Sequence, residues 1–157
     1  MNILITGGSG YIGARLSHFL SKNGFNVSIL CRSTPKDESG WIAQIKNVIV
    51  GDIVDYDTVE KVIKNNPDII IHLISMDKNM SKNSKKVIDV NVNSTWRLLE
   101  KAHLFKLEKF IYFSTIHVYD EQLVNSNEII FNKSLTEPTS NYGLTHLLSE
   151  KIVNFFH

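Results

Sequence analysis

Glycines 7, 10 and 13 follow the apolar run Ile3-Leu4-Ile5-Thr6 and enclose Tyr11-Ile12. A strand that runs into such a turn and then into a helix can hold an anion. Glycine lets the backbone turn tightly and approach a ligand, and the positive end of the helix dipole faces the bound charge. The spacing fits the pyrophosphate of a dinucleotide, with Gly7, Gly10, Tyr11, Ile12 and Gly13 around it. A tight turn with no ligand is the other reading of the glycines taken alone.

Further groups stand after other short apolar runs. Cys31-Arg32-Ser33 follows the second, where a carboxylate would hold ribose hydroxyls. The guanidinium of Arg32 instead suits a 2′-phosphate, and a solvated surface arginine is the alternative. Arg15 is read as surface. Gly51-Asp52-Ile53 follows the third run, placing a carboxylate and an apolar side chain for an adenine; Asp52 serves equally as an acid at a helix N-terminus. His72-Leu73-Ile74-Ser75 follows the fourth run and Ser114-Thr115-Ile116-His117-Val118-Tyr119 the fifth. The hydroxyls of Ser114 and Thr115 are placed to meet a substrate oxygen or to cap the strand end. His72 and His117 lack companion ligands at metal spacing and are read as ordinary hydrogen-bonded histidines, with no metal site.

The elements that must position these groups alternate. Ile3–Thr6, Val27–Cys31, Val48–Val50, Ile69–Leu73 and Phe110–Phe113 read as buried parallel strands. Tyr11–Lys22 has helical spacing and stops at Asn23-Gly24, and Asp57–Asn65 ends before Pro67. Ser84–His103 carries two apolar stripes, Val87, Val90, Ser94, Leu98 and Ile88, Val92, Trp96, Leu99, which implies two packing partners. Residues 120–140 read as a loop, and a last helix runs from Ser140 to Phe156. Strand alternating with helix predicts an α/β, Rossmann-type doubly wound parallel sheet of order 3-2-1-4-5, with ligands beyond the carboxyl ends of its strands.

The 157 residues are the size of one domain, and 17 Lys and Arg against 16 Asp and Glu leave a charge of +1. No basic stretch interleaves with aromatics, which argues against nucleic acid. The lone Cys31 forms no internal disulfide. The apolar runs fall short of the roughly 20 residues of a membrane span, so no membrane association and a cytoplasmic location are expected.

Five segments in order, Thr6-Gly7-Gly8-Ser9-Gly10-Tyr11-Ile12-Gly13, Pro67-Asp68-Ile69-Ile70-Ile71-His72-Leu73, Asn91-Val92-Asn93-Ser94-Thr95, Ser114-Thr115-Ile116-His117-Val118-Tyr119 and Pro138-Thr139-Ser140-Asn141-Tyr142-Gly143, resemble the extended short-chain dehydrogenase/reductases. These are NAD(P)-dependent sugar-nucleotide epimerases and dehydratases. The resemblance implies a nicotinamide dinucleotide, NADP or NAD, with Arg32 favouring NADP. It adds Leu73, Ile74, Ser75 and Asn91 to the cofactor-binding residues, and it makes a nucleotide sugar the substrate. It also implies a homodimer built on the Ser84–His103 and Tyr142–Phe156 helices. Tyr142 matches the family's acid/base, Thr115 the hydroxyl that orients the substrate, and His146 the position of its lysine.

That last match is a departure. A lysine cation about 4 Å from a phenol, at an effective dielectric of about 20, favours the phenolate by roughly 4 kcal/mol. A histidine of ordinary pKa supplies little of this above neutrality. Lys151, nine residues past Tyr142, is two and a half helical turns away. The second departure is length: residues 1–157 are expected to be a single dinucleotide-binding domain without the substrate-gripping C-terminal part of the family. The expectation is an epimerase/dehydratase-type oxidoreductase domain. A dinucleotide-binding module of impaired catalysis, acting as sensor or assembly component, is the alternative; a purely structural interaction domain is a third reading.

Overall fold

The computed structural model describes residues 1–36, 40–76, 79, 83–119, 124–126, 129–130 and 134–157. They fall into two compact units, Met1–Ile74 with Arg97–Phe113, and Ser75–Trp96 with Ser114–His157.

The first unit holds the sheet. Strands β1 (Asn2–Thr6), β2 (Asn26–Cys31), β3 (Asn47–Val50), β4 (Ile69–His72) and β5 (Lys109–Tyr112) are all parallel and stand in the order β3-β2-β1-β4-β5. This is the expected doubly wound order. β1 alternates its side chains between two cores, as a strand buried on both faces must. Ile3 and Ile5 join Val27, Ile29, Ile71 and Trp41 on one face, packed with Leu16 and Leu20 of α1 (Tyr11–Lys22). Leu4 joins Leu30, Ile70 and Ile53 on the other, with Val59, Val62 and Ile63 of α2 (Tyr56–Ile63) and with Leu98 and Ala102. Arg97 ties the latter face together: its guanidinium donates to the Val54 carbonyl at 2.8 Å and lies 4.7 Å from the Tyr56 ring centre. Helix α1 ends where expected, the Asn23 amide donating to the Phe19 carbonyl and Gly24 turning the chain.

In the second unit the periodic segment starts as α3 (Ser84–Val87), passes through a π-helical stretch (Ile88–Asn93), and continues as α4 (Ser94–His103), whose later residues belong to the first unit. The sequence predicts one uninterrupted α-helix here. The wider turn coincides with hydroxyls that bond back to carbonyls four residues earlier, Ser94 to Val90 and Thr95 to Asn91. Such back-bonding loosens the regular ladder. α5 (Asn141–Phe156) begins at Ser140, whose hydroxyl accepts from the Gly143 N–H at 3.1 Å. Of the predicted loop, 120–123, 127–128 and 131–133 lie outside the described residues, and 134–139 carries no helix or strand. Among the described residues no helix is long and apolar enough to cross a membrane.

The glycine turn is fixed by backbone packing. Gly7 has φ +73°, which favours glycine. A Cβ on Gly13 would lie 2.2 Å from the Gly7 carbonyl oxygen, and one on Gly8 would lie 2.4 Å from the Ile29 Cβ. Gly10 differs: its φ is an ordinary −72°, and an added Cβ meets only the Gly7 oxygen, at 3.2 Å. In urea denaturation, Gly13→Ala is expected to lose about 3 kcal/mol, the upper end for overpacking because both neighbours are backbone. Gly10→Ala should lose about 1 kcal/mol or less. Equal losses at the two positions would contradict this packing.

Candidate functional site

In the first unit the predicted cofactor residues gather at the carboxyl ends of the strands. The N–H groups of Gly7 and Gly8 both donate to the Leu30 carbonyl, at 2.9 and 3.1 Å, and that of Gly10 donates to the Gly7 carbonyl at 3.0 Å. These glycines therefore shape the turn and do not offer their amides to a ligand. The donors come instead from the first turn of α1, Tyr11, Ile12 and Gly13, which a helix leaves without intrahelical partners. Gly10 gives them no side-chain cap and the turn holds no acid, so an anion has no internal competitor there. Tyr11 and Ile12 are exposed, and the Arg15 guanidinium sits 3.8 Å from the Tyr11 ring centre while donating to the Tyr11 carbonyl. Apart from the Gly7 oxygen, no described atom lies within 4 Å of the place of a Cβ on Gly10, so the space over this turn is open.

Thr6 is a residue that the sequence reading passed over. Its hydroxyl accepts from the Leu73 N–H at 3.2 Å and bonds His72 Nδ1 at 2.7 Å. The hydroxyl thereby links the imidazole to the backbone that follows β4. The same bonds hold the Leu73-Ile74 backbone beside Gly7, whose added Cβ would lie 3.3 Å from Ile74 Cγ1. The available signal was position alone: a hydroxyl residue ending the central strand.

At the ends of β2 and β3, Arg32 and Ser33 are exposed and the Cys31 thiol is buried, with burial pushing its pKa up. The Gly51 N–H donates to the Cys31 carbonyl, which brings the two strand ends together. Asp52 accepts from the Val54 N–H at 3.1 Å through its carboxylate and from the Asp55 N–H through its carbonyl, so it shapes the turn into α2. Ile53 corrects the sequence reading. It is 2% exposed and packed with Leu4, Leu30 and Ile70, which makes it core beneath the strand ends and not an open surface for a base.

The second unit holds the residues matched to catalysis. Thr115 caps the 3₁₀ turn Ile116–Val118, accepting from the His117 N–H at 3.3 Å. Gly143 presses the first turn of α5 onto that segment: an added Cβ would lie 2.0 Å from the His117 carbonyl oxygen. Tyr142 is consequently held between two imidazoles, its ring centre 5.7 Å from that of His117 and 4.6 Å from that of His146, both edge to face. His146 is 2% exposed, which excludes a place on the helix surface. Burial, and secondarily the charge of His117, lowers its pKa to about 4. It is a neutral imidazole at neutral pH and supplies no cation to the phenol. Lys151 is exposed. The Ser114 hydroxyl donates to the Glu150 carboxylate and is therefore already engaged.

Asn91 is buried, and its part is positional. Its amide oxygen accepts from the Met76 N–H at 2.8 Å, its amide nitrogen donates to the Thr145 hydroxyl at 2.9 Å, and its carbonyl accepts from the Ser149 hydroxyl at 2.9 Å. The exposed Ser75 is thus joined, through its neighbour, to the helix that carries Tyr142 and His146. Thr145 and Ser149 lay unmarked in the sequence, although their i, i+4 spacing puts both on one helix face. The His117 Nδ1 is enclosed without a hydrogen-bond partner among the described residues.

A family model described as the NAD dependent epimerase/dehydratase family matches residues 3–157. The chain is 32% identical to the dTDP-D-glucose 4,6-dehydratase of Dictyostelium discoideum, covering 99% of this chain and 40% of the relative. It is 30% identical to the UDP-glucose 4-epimerase of Halalkalibacterium halodurans, covering 99% and 46%. Among solved structures it resembles the UDP-glucose 4-epimerase of Thermotoga maritima with UDP-glucose, at TM-score 0.85 and 27% identity over 99% of this chain and 51% of that one. The UDP-glucuronic acid 4-epimerase of Bacillus cereus with UDP-glucuronic acid and NAD matches at TM-score 0.83 and 29% identity, over 100% and 52%. The chain spans about half the length of these relatives or less.

The buried His146 makes stability depend on acidity. Its folded pKa of about 4 lies below the ordinary imidazole value of 6.5, so the unfolded chain binds the extra proton between those values. Stability is unaffected by this group above pH 6.5, falls as pH drops through that window, and is lower by about 3 kcal/mol below pH 4. Urea midpoints measured from pH 7.5 to 4 should fall less steeply in His146→Gln than in the wild type. Parallel curves would contradict the burial.

Proposed function

This chain belongs to the NAD-dependent epimerase/dehydratase family, and on that footing we propose that it binds a nicotinamide dinucleotide and serves hydride transfer on a nucleotide-linked sugar. The observation that carries the reading is the first turn of α1. Its amides are uncapped, a Cβ on Gly10 would meet only the Gly7 oxygen, and Arg15 stands beside the turn. In this reading residues 1–157 are the dinucleotide-binding part of the architecture. Tyr142 takes or gives the proton of a sugar hydroxyl, and Thr115 orients that hydroxyl. The nicotinamide supplies the hydride acceptor. His146, held neutral, can donate or accept a hydrogen bond but leaves the phenol without a fixed positive charge.

That neutrality favours the second reading, a dinucleotide-binding module of slow turnover serving as sensor or assembly component. Both readings require cofactor binding, and turnover separates them. A preference for NADP over NAD rests on Arg32, exposed after β2 with no acid beside it at Cys31.

Calorimetric titration with NADPH and NADH tests the shared step. Gly10→Val should abolish binding of both while the protein stays folded. A charge-assisted contact to phosphate is worth about 1.5–3 kcal/mol, so Arg32→Ala should weaken NADPH roughly tenfold or more and leave NADH nearly unchanged. Undiminished binding by Gly10→Val would remove the cofactor reading, and tighter wild-type binding of NADH than NADPH would remove the preference.

We further propose a homodimer. In the second unit Trp96 stacks on Phe155 at 5.7 Å and meets Phe156 edge-on, yet Trp96, Phe155, Leu148, Leu144 and Ile88 all stay well exposed. An apolar surface of this extent on two helices suits a matching pair from a second copy. Sedimentation should give a dimer at tens of micromolar, and Leu148→Glu should give a folded monomer. A wild-type monomer at that concentration would overturn the interface.

A further inference from the structure

The turn between β3 and α2 is held by a residue far away in the chain. Within the turn, the Val54 N–H donates to one oxygen of the Asp52 carboxylate at 3.1 Å, and the Asp55 N–H donates to the Asp52 carbonyl. Ile53 anchors it in the core with Leu4, Leu30 and Ile70. α2 does not fix it from its own end, because Asp55 at the N-terminus of that helix makes no side-chain cap. The remaining anchor is Arg97 of α4, 43 residues on from Val54. Its guanidinium donates to the Val54 carbonyl at 2.8 Å and lies 4.7 Å from the Tyr56 ring centre. Val54 is thus gripped twice, at its N–H by Asp52 and at its carbonyl by Arg97.

Packing alone asks less of this position. Arg97 is half-buried and pairs with no carboxylate among the described residues, so its charge meets only a neutral carbonyl and a ring. A charged donor holds a carbonyl more strongly than a neutral one, and a planar guanidinium meets carbonyl and ring together where a flexible ammonium does not. Across Val54 stands the group that this grip serves. One Asp52 oxygen takes the Val54 N–H, and the second has no partner among the described residues. An open carboxylate oxygen at the end of β3 can accept from the exocyclic amine of an adenine.

We propose that Arg97 is a positioning residue for base recognition. Through Val54 it fixes how the Asp52 carboxylate meets the base, and so sets the preference for adenine over a purine that carries an oxygen in place of the amine. It acts through the turn and needs no contact with the base. A hydrogen bond selects between donor and acceptor only while its geometry is held, because it weakens steeply once misaligned. With the Val54 carbonyl released, the turn keeps its anchor at Ile53 but loses the one that fixes the carboxylate, and the two purines are then told apart less well. This inference rests on the cofactor reading, with Asp52 as its adenine residue, and goes beyond it in naming the residue that sets the selectivity.

The experiment titrates the full chain calorimetrically with NADH and with its analogue in which hypoxanthine replaces adenine. The wild type is expected to bind NADH tighter by about tenfold or more, because hypoxanthine turns an oxygen toward the carboxylate where adenine offers an amine. Asp52→Asn should bring the ratio to about one and Arg97→Met to about threefold or less, while adding Arg97→Met to Asp52→Asn should change it no further. A merely structural role would weaken both dinucleotides alike and leave the ratio standing. Thermal unfolding reports whether each variant is folded. Should Arg97→Met not fold, Arg97→Lys, which keeps the charge without the planar group, takes its place with the same expectation. A ratio unchanged in the Arg97 variant, or lowered equally with and without the Asp52 carboxylate, overturns the proposal while the cofactor reading stands. A wild type that binds both equally overturns it as well, and one that binds neither removes the cofactor reading together with it.

Discussion

The contact on which the first unit depends is backbone against backbone, Gly13 on Gly7. With 2.2 Å between the place of a Cβ and a carbonyl oxygen, no side chain can intervene, and α1 is drawn down until its first turn stands directly over the end of β1. The same approach forces the left-handed turn at Gly7 and directs the Gly7 and Gly8 amides inward to Leu30. What remains facing outward is the uncapped turn of a helix, and an anion is what such a turn attracts. Thr6 extends this arrangement to β4 by clamping the Leu73 amide, so a single strand end sets the geometry of the loops on both sides.

The second unit obtains the same rigidity from hydroxyls and one amide. Asn91 is satisfied on its oxygen, its nitrogen and its carbonyl, and each partner is itself buried or part of a helix. A buried polar network that is fully paired fixes one arrangement, because any shift leaves a desolvated group without a partner. The π-helical stretch belongs to this network: the Asn91 carbonyl receives the hydroxyls of Thr95 and Ser149, and the helix widens where it serves the site. Gly143 repeats the device of Gly13 on a smaller scale and brings two imidazoles to the phenol.

The chemistry then turns on charge more than on shape. A buried, neutral His146 keeps the helix packed at little electrostatic cost near neutrality, whereas a fixed cation in that place would have to be desolvated or paired.

The parallel sheet, its order, the glycine turn and the ends of α1 and α5 were legible from the sequence, because each rests on a local rule: apolar runs for buried strands, helical spacing, φ-permissive glycine, a serine cap. Reading Gly7 and Gly10 as amide donors and Ile53 as an open surface went further than local rules allow, and the buried bonds of Asn91 could not be read from the sequence. Whether a side chain lies in the core or in the open, and whether a carbonyl is already taken, depends on residues 15 to 66 positions away. The sequence by itself determined which elements form and which residue types reach the strand ends. Only the tertiary structure decided which donors stay free, that His146 is buried and neutral, and that His117 shares the tyrosine, since burial and pairing are properties of neighbours and not of the residue that bears them.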